Sequence, residues 1–292
     1  MLVILAGGPS AEREVSFWSA ETIGVALKKL DKKFVVIDPA QKDWLALLKA
    51  SKPILVLIAL HGPFGEDGQL QKILEKEGIP FSGSDSRVSA LAINKEKAKK
   101  MIGGLGIATP KNYRVRSRLP YPVVVKPLTN GSSFGVTVVK DAATLSPALV
   151  EAKKFGRLII EQYIAGTELT CGVIDIFGSI QALPLVEIRP NRQFFDFAAK
   201  YDSESGCQEI CPAPIDGKLT KEIQELSIKV YKILGCRQYA RIDWIVRDGT
   251  PYFLEVNTLP GLTKNSLINK ELLAAGISFE NFIDPLIKKV LF

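Results

Sequence analysis

Two consecutive predicted strands near the C-terminal end of the chain carry the residue types best suited to chemistry. Glu255 and Asn257 stand two apart in YFLEVNTLPGLTKNSL, and Arg241 and Asp243 stand two apart in YARIDWIV. Because successive side chains of a strand alternate between its two faces, the members of each pair share a face. Carboxylate and amide oxygens on one face suit a hard cation such as Mg²⁺. Glu-x-Asn alone is more often polar decoration of a strand end, so the metal site is predicted only if both strands contribute to it.

The turn between these strands decides whether the four side chains meet. The connection contains an Asp-Gly dipeptide, which is typical of hairpins. A two-residue turn would pair Asp243 with Leu254 and place Asp243 and Glu255 on opposite faces. A three-residue loop with Gly249 in the left-handed conformation would pair Asp243 with Phe253 and bring the polar side chains to one face. We expect the three-residue loop, and a two-residue turn without a bulge would exclude a shared site.

Glycine-rich turns follow two strands in the first part of the chain. GGPS at 7–10 follows an apolar strand and precedes a helix, and HGPFGEDG at 61–68 follows another. Strands that alternate with helices predict a parallel sheet, whose ligands bind beyond the carboxyl ends of the strands. His61 lies at such an end, where a structural role and a binding role are equally open. Glu12 fits a helix-dipole role best from this segment alone, and binding of a substrate ammonium is the alternative.

The middle of the chain contains a candidate phosphate loop. VVVKP ends a predicted strand at Lys126 and is followed by a Gly/Ser loop that contains Ser132 and Ser133. Backbone N–H groups of such a loop can cover phosphates, and a flexible hairpin is the alternative. Lys126 at the strand exit favours phosphate binding. We expect one helix over residues 84–100, carrying Lys95, and an ordered flap over the aperiodic segment 191–214.

Composition excludes several classes of protein. The chain has 292 residues, 47% of them hydrophobic and 24% charged, which is typical of a soluble globular protein with two or three domains. The longest strongly apolar run, 54–60, is too short to span a bilayer, and MLVILAGGPS resembles a strand and turn rather than a signal peptide. Four cysteines without a Cys-x-x-Cys pair and a single histidine favour reduced thiols in the cytoplasm over a zinc site. A net charge of +7 favours anionic substrates such as nucleotides, but no basic cluster with aromatic platforms indicates nucleic-acid binding.

Taken in order, the motifs closely resemble those of the D-alanine–D-alanine ligase family of ATP-grasp enzymes. GGPSAEREVS, ALHGPFGEDG, VVVKPLTNGSSFG, LIIEQYIAGTE, DFAAKY, ARID and LEVNTLPGLTKNSL occur in the family's order over nearly the whole chain. The resemblance implies a three-domain α/β ATP-grasp architecture. An N-terminal parallel-sheet domain at 1–86 would bind substrate, and two α+β domains at 87–165 and 166–292 would grip ATP. It also implies a cytoplasmic homodimer without membrane or nucleic-acid partners.

The same resemblance implies the reaction and its small molecules. ATP would phosphorylate the carboxylate of one D-alanine, and the amine of a second D-alanine would attack the acyl phosphate. D-alanyl-D-alanine, ADP and phosphate would be released, and the dipeptide would supply peptidoglycan synthesis. Two Mg²⁺ ions, with Mn²⁺ as an alternative, would be held by Asp243, Glu255 and Asn257.

Residue roles implied by the resemblance fall into a nucleotide group and a substrate group. The nucleotide group is Lys95, Lys126 and Lys200 at the phosphates, Ser133 in the loop that covers them, and Glu161, Tyr163, Ile164 and Glu168 around adenine and ribose. The substrate group is Glu12, Ser132 and Tyr201 at the ammonium of the first D-alanine, His61 near the carboxylates, Arg241 and the Gly261 N–H at the oxyanion, and Ser266 and Leu267 at the carboxylate of the second D-alanine.

Three positions depart from the family's usual residues, and none removes a catalytic group. Gln162 stands where lysine is usual, Phe197 where tyrosine is frequent, and Leu259 where a smaller residue is common. Tyr201 favours the dipeptide over D-alanyl-D-lactate. The alternatives are another ATP-grasp ligase that joins a different carboxylate and amine, and a nucleotide-binding sensor without turnover. The sensor would require loss of a metal ligand or of Arg241, all of which are present. A dinucleotide oxidoreductase is a weaker third alternative, because the chain has no full G-x-G-x-x-G fingerprint.

Overall fold

The computed structural model describes residues 1–114, 118–131, 134–190 and 207–291, and every structural statement below concerns these residues. The described helices are α1 Arg13–Lys29, α2 Trp44–Ala50, α3 Gln69–Lys76, α4 Ser86–Ala92, α5 Lys95–Gly103, α6 Leu145–Lys153, α7 Gly217–Leu234, α8 Leu267–Ala274 and α9 Phe279–Leu291. None of these helices combines the length and the apolar character needed to cross a bilayer.

The described strands form three separate sheets. They are β1 Leu2–Leu5, β2 Phe34–Ile37, β3 Leu55–Ile58, β4 Asn112–Tyr113, β5 Val123–Pro127, β6 Thr137–Val139, β7 Leu158–Gln162, β8 Thr167–Ile174, β9 Gln181–Ala182, β10 Val186–Pro190, β11 Cys207–Ile210, β12 Tyr239–Arg247 and β13 Thr250–Asn257.

The first sheet is parallel, in the order β2-β1-β3, as the alternation of strands and helices predicts. All four residues of β1 and of β3 are buried, which is typical of parallel strands covered on both faces. Ile23 and Leu27 of α1 belong to the core of this sheet. The same core contains Phe282 and Ile283 of α9, so the last helix of the chain packs with the first sheet.

The second and third sheets are antiparallel. The second has the order β4-β7-β5-β6, and its core joins Val123 and Val125 of β5 to Ala152 of α6. The third has the order β11-β10-β8-β12-β13, with β9 also paired to β8. Trp244 of β12 and Phe253 of β13 are fully buried in its core. The third sheet therefore has a packed apolar face, and its other face is available for polar side chains.

One expected helix is two helices. The prediction of a single helix over 84–100 is wrong, because α4 ends at Ala92 and α5 begins at Lys95. Asn94 caps the second helix by accepting the backbone N–H of Lys97 at 3.1 Å. An N-cap residue has extended rather than helical backbone angles, so it separates the two segments. Lys95 consequently lies in the first turn of a helix rather than in the middle of one.

The turn between β12 and β13 also differs from the expectation. Arg247 pairs with Thr250, so the loop contains only Asp248 and Gly249. Both have positive φ angles, 51° and 73°. Two such residues are required by the type I′ turn that is typical of two-residue hairpins. The prediction of a three-residue loop is therefore wrong.

A β-bulge restores the parity that the short turn would otherwise remove. Trp244 pairs with Phe253, but Asp243 pairs with Glu255, so Leu254 is an extra residue on β13. A bulge of this kind lets two residues of one strand oppose one residue of its partner. The predicted shared face of the two strands is confirmed, although a bulge rather than the loop length produces it.

Candidate active site

A cleft of about 510 Å³ lies where the first and third sheets approach α5. Nine of the predicted site residues line it. They are Glu12, His61, Lys95, Arg241, Glu255, Asn257, Gly261, Ser266 and Leu267. Asp243, Lys126, Glu161, Tyr163, Ile164 and Glu168 are not among its lining residues. Ser132, Ser133, Lys200 and Tyr201, together with Phe197, lie outside the described residues.

Arg241 is held by Asp243 on the polar face of the third sheet. The Arg241 Nε and Nη2 atoms each donate to an Asp243 carboxylate oxygen at 3.0 Å. Thr170 of β8, which pairs with Asp243, donates its hydroxyl to Asp243 Oδ1 at 2.5 Å. Burial acts to lower the pKa of Arg241, but the Asp243 carboxylate outweighs it and leaves the pKa raised. The guanidinium therefore stays charged, and its position is set by a two-point contact.

Glu255 and Asn257 lie on the same face as Arg241 and Asp243. Asp243 pairs directly with Glu255, and Arg241 pairs directly with Asn257. Glu255 Oε2 lies 3.0 Å from Lys95 Nζ at the start of α5. Asn257 Oδ1 accepts the backbone N–H of Leu259 at 3.0 Å. The face thus combines two carboxylates with an arginine and a lysine, so both negative charges have cationic neighbours.

These oxygen atoms fit a hard cation. Two carboxylates and one amide oxygen on one face are ligands that Mg²⁺ accepts, and Mg²⁺ commonly takes its remaining ligands from water and substrate phosphates. Within the described ranges no three His, Cys, Asp or Glu side chains cluster as a metal site. A metal bound by Asp243, Glu255 and Asn257 would therefore need oxygen atoms from a bound anion to complete its coordination.

The loops of the first sheet bring His61 to the edge of the same cleft. His61 Nε2 lies 3.0 Å from Ser19 Oγ, and His61 Nδ1 lies 3.7 Å from Glu66 Oε1. Ser19 Oγ also accepts the backbone N–H of Leu262 at 3.4 Å. The histidine consequently has partners on both ring nitrogens, and Ser19 links it to the segment after β13. Sequence reasoning missed Ser19 and Glu66, although the i,i+4 spacing of Val15 and Ser19 along α1 places Ser19 on the buried face of that helix.

The start of α8 lies beside the glycine turn that follows β13. Ser266 is the N-cap of α8 and donates its hydroxyl to the Thr263 carbonyl at 2.8 Å. A Cβ placed on Gly261 would lie 3.8 Å from Ser266 Cβ and 3.9 Å from His61 Cε1. Free N–H groups at the start of a helix suit an anionic group such as a carboxylate. Gly261, His61 and the start of α8 therefore surround one part of the cleft.

A buried ionic cluster lies behind Lys95, in the second sheet. Glu161 of β7 forms ion pairs with Lys126, at 2.8 Å, and with Lys99 of α5. Lys99 also donates to Asn112 Oδ1 at 2.8 Å. Burial lowers the pKa of Lys99 to about 8. Burial acts to raise the pKa of Glu161, but Lys126 and Lys99 outweigh it and leave that pKa lowered. Both oxygens of Glu161 thus face lysines, and sequence reasoning missed Lys99.

The remaining predicted nucleotide residues follow β7 in the chain. Ile164 is buried, Tyr163 is half-buried, and Glu168 lies in β8 opposite Ile245. Gln162, one of the departures from the family pattern, accepts the backbone N–H of Lys111 at 3.5 Å. Leu259, another departure, is 2% exposed and belongs to the core of the first sheet. The larger side chain at position 259 therefore serves packing.

Comparison with known proteins gives a consistent result. The model of a family described as "D-ala D-ala ligase C-terminus" matches residues 107–288. A D-alanine–D-alanine ligase from Clostridium perfringens (strain SM101) is 38% identical over 300 residues, which cover 99% of this chain and 97% of that protein. The crystal structure of D-alanine–D-alanine ligase from Bacillus anthracis complexed with ATP has a TM-score of 0.83 and 33% identity, over 99% of this chain and 97% of that one. The crystal structure of VanG D-Ala:D-Ser ligase from Enterococcus faecalis has a TM-score of 0.85 and 30% identity, over 98% of both chains.

Proposed function

This chain belongs to the D-alanine–D-alanine ligase family, and from that premise we propose that it uses ATP to join two D-alanine molecules into D-alanyl-D-alanine. The observation that carries the proposal is the polar face of β12 and β13. It places Arg241, Asp243, Glu255 and Asn257 on one face, with Glu255 beside Lys95. All of these residues except Asp243 line the cleft, together with Gly261 and the start of α8. The dipeptide would supply peptidoglycan synthesis in the cytoplasm, and the enzyme would act as a homodimer.

ATP binds, in this proposal, between the second and third sheets. Lys95 and Lys126 contact its phosphates, because both lysines are buried and both have carboxylate partners that a phosphate can replace as a counter-charge. Glu161, Tyr163, Ile164 and Glu168 contact the adenine and ribose. Ser133 and Lys200 complete the phosphate site. The similarity to the Bacillus anthracis ligase that was crystallised in complex with ATP supports ATP as the nucleotide.

Asp243, Glu255 and Asn257 would hold the Mg²⁺ ions, or Mn²⁺ in their place. When bound, these ions would neutralise phosphate charge and so favour transfer of a phosphoryl group to the carboxylate of the first D-alanine. The chain's own residues orient the reactants. Glu12, with Ser132 and Tyr201, receives the ammonium of the first D-alanine, and His61 lies near the carboxylates.

Arg241 and the Gly261 N–H stabilise the oxyanion that forms when the second amine attacks the acyl phosphate. A donor is most effective when it is fixed before the charge develops, because no reorganisation is then needed during the reaction. The two-point contact with Asp243 fixes the Arg241 guanidinium in this way. Ser266 and Leu267 hold the carboxylate of the second D-alanine at the start of α8.

Three domains with boundaries at 1–86, 87–165 and 166–292 are part of the proposal. Their support is that the strands of the three sheets, β1–β3, β4–β7 and β8–β13, fall within these three ranges. The isolated bridge between Val56 and Phe81 also lies in the first range. Packing crosses these boundaries, because Ile268 of α8 and Phe282 of α9 join the core of the first sheet, and Val88 of α4 and Ala98 of α5 join the core of the third.

The test is phosphate release from ATP with Mg²⁺, measured with and without D-alanine, together with mass-spectrometric detection of the dipeptide. We expect D-alanine to stimulate release and the dipeptide to form in equal amount. D-Serine is offered as the second substrate in parallel, because one structural relative is named a D-Ala:D-Ser ligase. Stimulation by another amino acid but not by D-alanine would contradict the substrate assignment.

A further inference from the structure

One backbone N–H in the middle of the third sheet is satisfied by a side chain rather than by a strand. Along its outer edge β8 pairs with β10 as far as Thr170 and with β9 from Val173 onward. Gly172 lies at the change of partner. Its N–H donates to Glu271 Oε1 of α8 at 2.7 Å, and its carbonyl accepts the Leu183 N–H at 2.8 Å. Glu271 therefore supplies the acceptor that the sheet lacks at this point.

The carboxyl group of Glu271 occupies the place where residue 172 would have its side chain. A Cβ built on Gly172 would lie 2.6 Å from Glu271 Oε2. Gly172 pairs directly with Arg241 across β8 and β12. Directly opposed residues have their side chains on the same face, with Cβ atoms roughly 4.5–5.5 Å apart. Glu271 thus lies on the catalytic face of the sheet, next to Arg241.

Glu271 is also part of α8, and the start of α8 is the predicted site for the carboxylate of the second D-alanine, which is the acceptor of the acyl group. Residues four apart in a helix lie on the same side, so Glu271 is directly below Leu267, one turn from the N-cap Ser266. The side chain is fully buried, and Oε2 has no hydrogen-bond partner among the described residues. Burial raises the pKa of the Glu271 carboxyl to about 8. A buried carboxyl with one oxygen unsatisfied is unfavourable compared with an apolar side chain, so packing alone does not account for it.

We propose that Glu271 is a positioning residue that fixes the start of α8, with Ser266 and Leu267, against the strand face that carries Arg241. The proposal rests on the proposed function, in which the helix start holds the carboxylate of the second D-alanine and Arg241 stabilises the oxyanion. Through its bond to Gly172, Glu271 sets the distance between the acceptor and the reacting centre. Its loss should therefore weaken acceptor binding more than donor binding.

The experiment measures two Michaelis constants from the dependence of the rate on D-alanine concentration. The donor constant is that of the first D-alanine, and the acceptor constant is that of the second. Glu271→Ala removes the acceptor of the Gly172 N–H and should raise the acceptor constant about tenfold, with the donor constant changed less than about twofold. Glu271→Gln keeps a carbonyl oxygen for that N–H and should restore the acceptor constant to within about threefold of wild type. Gly172→Ala leaves Glu271 in place but displaces its carboxyl, and should change the constants in the same direction as Glu271→Ala.

Leu273→Ala is the control, because Leu273 lies in the same helix and is 67% exposed. It should leave both constants unchanged.

The proposal is overturned if Glu271→Ala lowers the thermal unfolding temperature but leaves the acceptor constant at the wild-type value, or if both constants rise equally. If Glu271→Ala does not fold, Gly172→Ala and Glu271→Gln decide the question by the ratio of the acceptor constant to the donor constant. Wild-type protein that releases no phosphate with D-alanine would contradict the proposed function, and this proposal with it. Activity of the wild type with an unchanged ratio in the variants would contradict this proposal alone.

Discussion

Asp243 lies directly opposite Glu255 on neighbouring strands, although the two-residue turn that joins the strands would by itself pair Asp243 with Leu254. The bulge at Leu254 corrects the register just before the polar face begins. Side-chain direction in a strand has a period of two, so a shift of one residue would move Glu255 and Asn257 to the apolar face. The two carboxylates can face the same bound cation only because the turn and the bulge act together.

Glu255→Gln should abolish turnover and leave the fold intact. The amide keeps the size of the side chain but removes its negative charge. That charge binds the proposed metal ions and pairs with Lys95. We expect kcat to fall at least about 100-fold, measured as phosphate release at saturating ATP and D-alanine. Circular dichroism should show unchanged secondary structure.

Asp248→Asn is the matched control for Glu255→Gln. It neutralises a carboxylate in the same hairpin, but the Asp248 side chain is 88% exposed in the turn. Asparagine accepts the positive φ of this position, so the turn should persist. A near-wild-type rate is expected. A similar rate in Glu255→Gln would remove Glu255 from the site.

Strand alternation and motif order are sufficient to predict the polar face and nine of the residues that line the cleft. Arg241, Asp243, Glu255 and Asn257 were identified from their spacing, and the parallel first sheet from its pattern of strands and helices. The loop length was wrong because no residue type at Leu254 indicates a bulge. The break between α4 and α5 was missed, although Asn94 is a typical N-cap residue.

The ionic groups that sequence reasoning missed depend on contacts between distant parts of the chain. Lys99 meets Glu161 across 62 residues, and Glu271 meets Gly172 across 99. A lysine or glutamate on a short helix usually faces solvent, and its burial follows only from how the sheets assemble. These pairings are tertiary, and the local sequence contains no signal for them.

Gly249→Ala should destabilise the protein, whereas Gly217→Ala should not. Gly249 has a φ of 73° with nothing within 4 Å of an added Cβ, so the left-handed backbone is the only cost, about 1 kcal/mol. Gly217 is the first residue of α7 and also has open space around it, without a positive φ. There an alanine should stabilise by about 0.5 kcal/mol because it restricts the unfolded chain. Urea unfolding of the two variants measures the difference, and equal effects would contradict the turn geometry.

Lys99→Met should destabilise the protein by about 3 kcal/mol, because it leaves Glu161 buried with Lys126 as its remaining ion-pair partner. Both side chains of the Lys99–Glu161 pair are only 3% exposed, so solvent cannot replace the lost partner. The double variant Lys99→Met, Glu161→Gln should be less stable again, since the buried Lys126 then loses its ion-pair partner. Lys97→Met, on the exposed side of the same helix, is the control and should change stability by less than about 0.5 kcal/mol. Urea unfolding decides the prediction, and a double variant as stable as wild type would contradict it.

Glu271 should make the folded protein less stable as the pH rises. Burial raises the pKa of its carboxyl from 4.5 to about 8. The Gly172 N–H and Arg241 act to lower this pKa, and Asp243 acts to raise it. A carboxyl with a raised pKa in the folded state favours the protonated form, so its contribution is complete below pH 4.5 and is lost as the pH rises through about 8. Glu271→Gln has no proton to lose, so its stability relative to wild type should increase by on the order of a few kcal/mol between pH 5 and pH 9. Urea unfolding of both proteins at several pH values gives this difference directly. A difference that stays constant over that range would show that Glu271 does not titrate there in the folded protein.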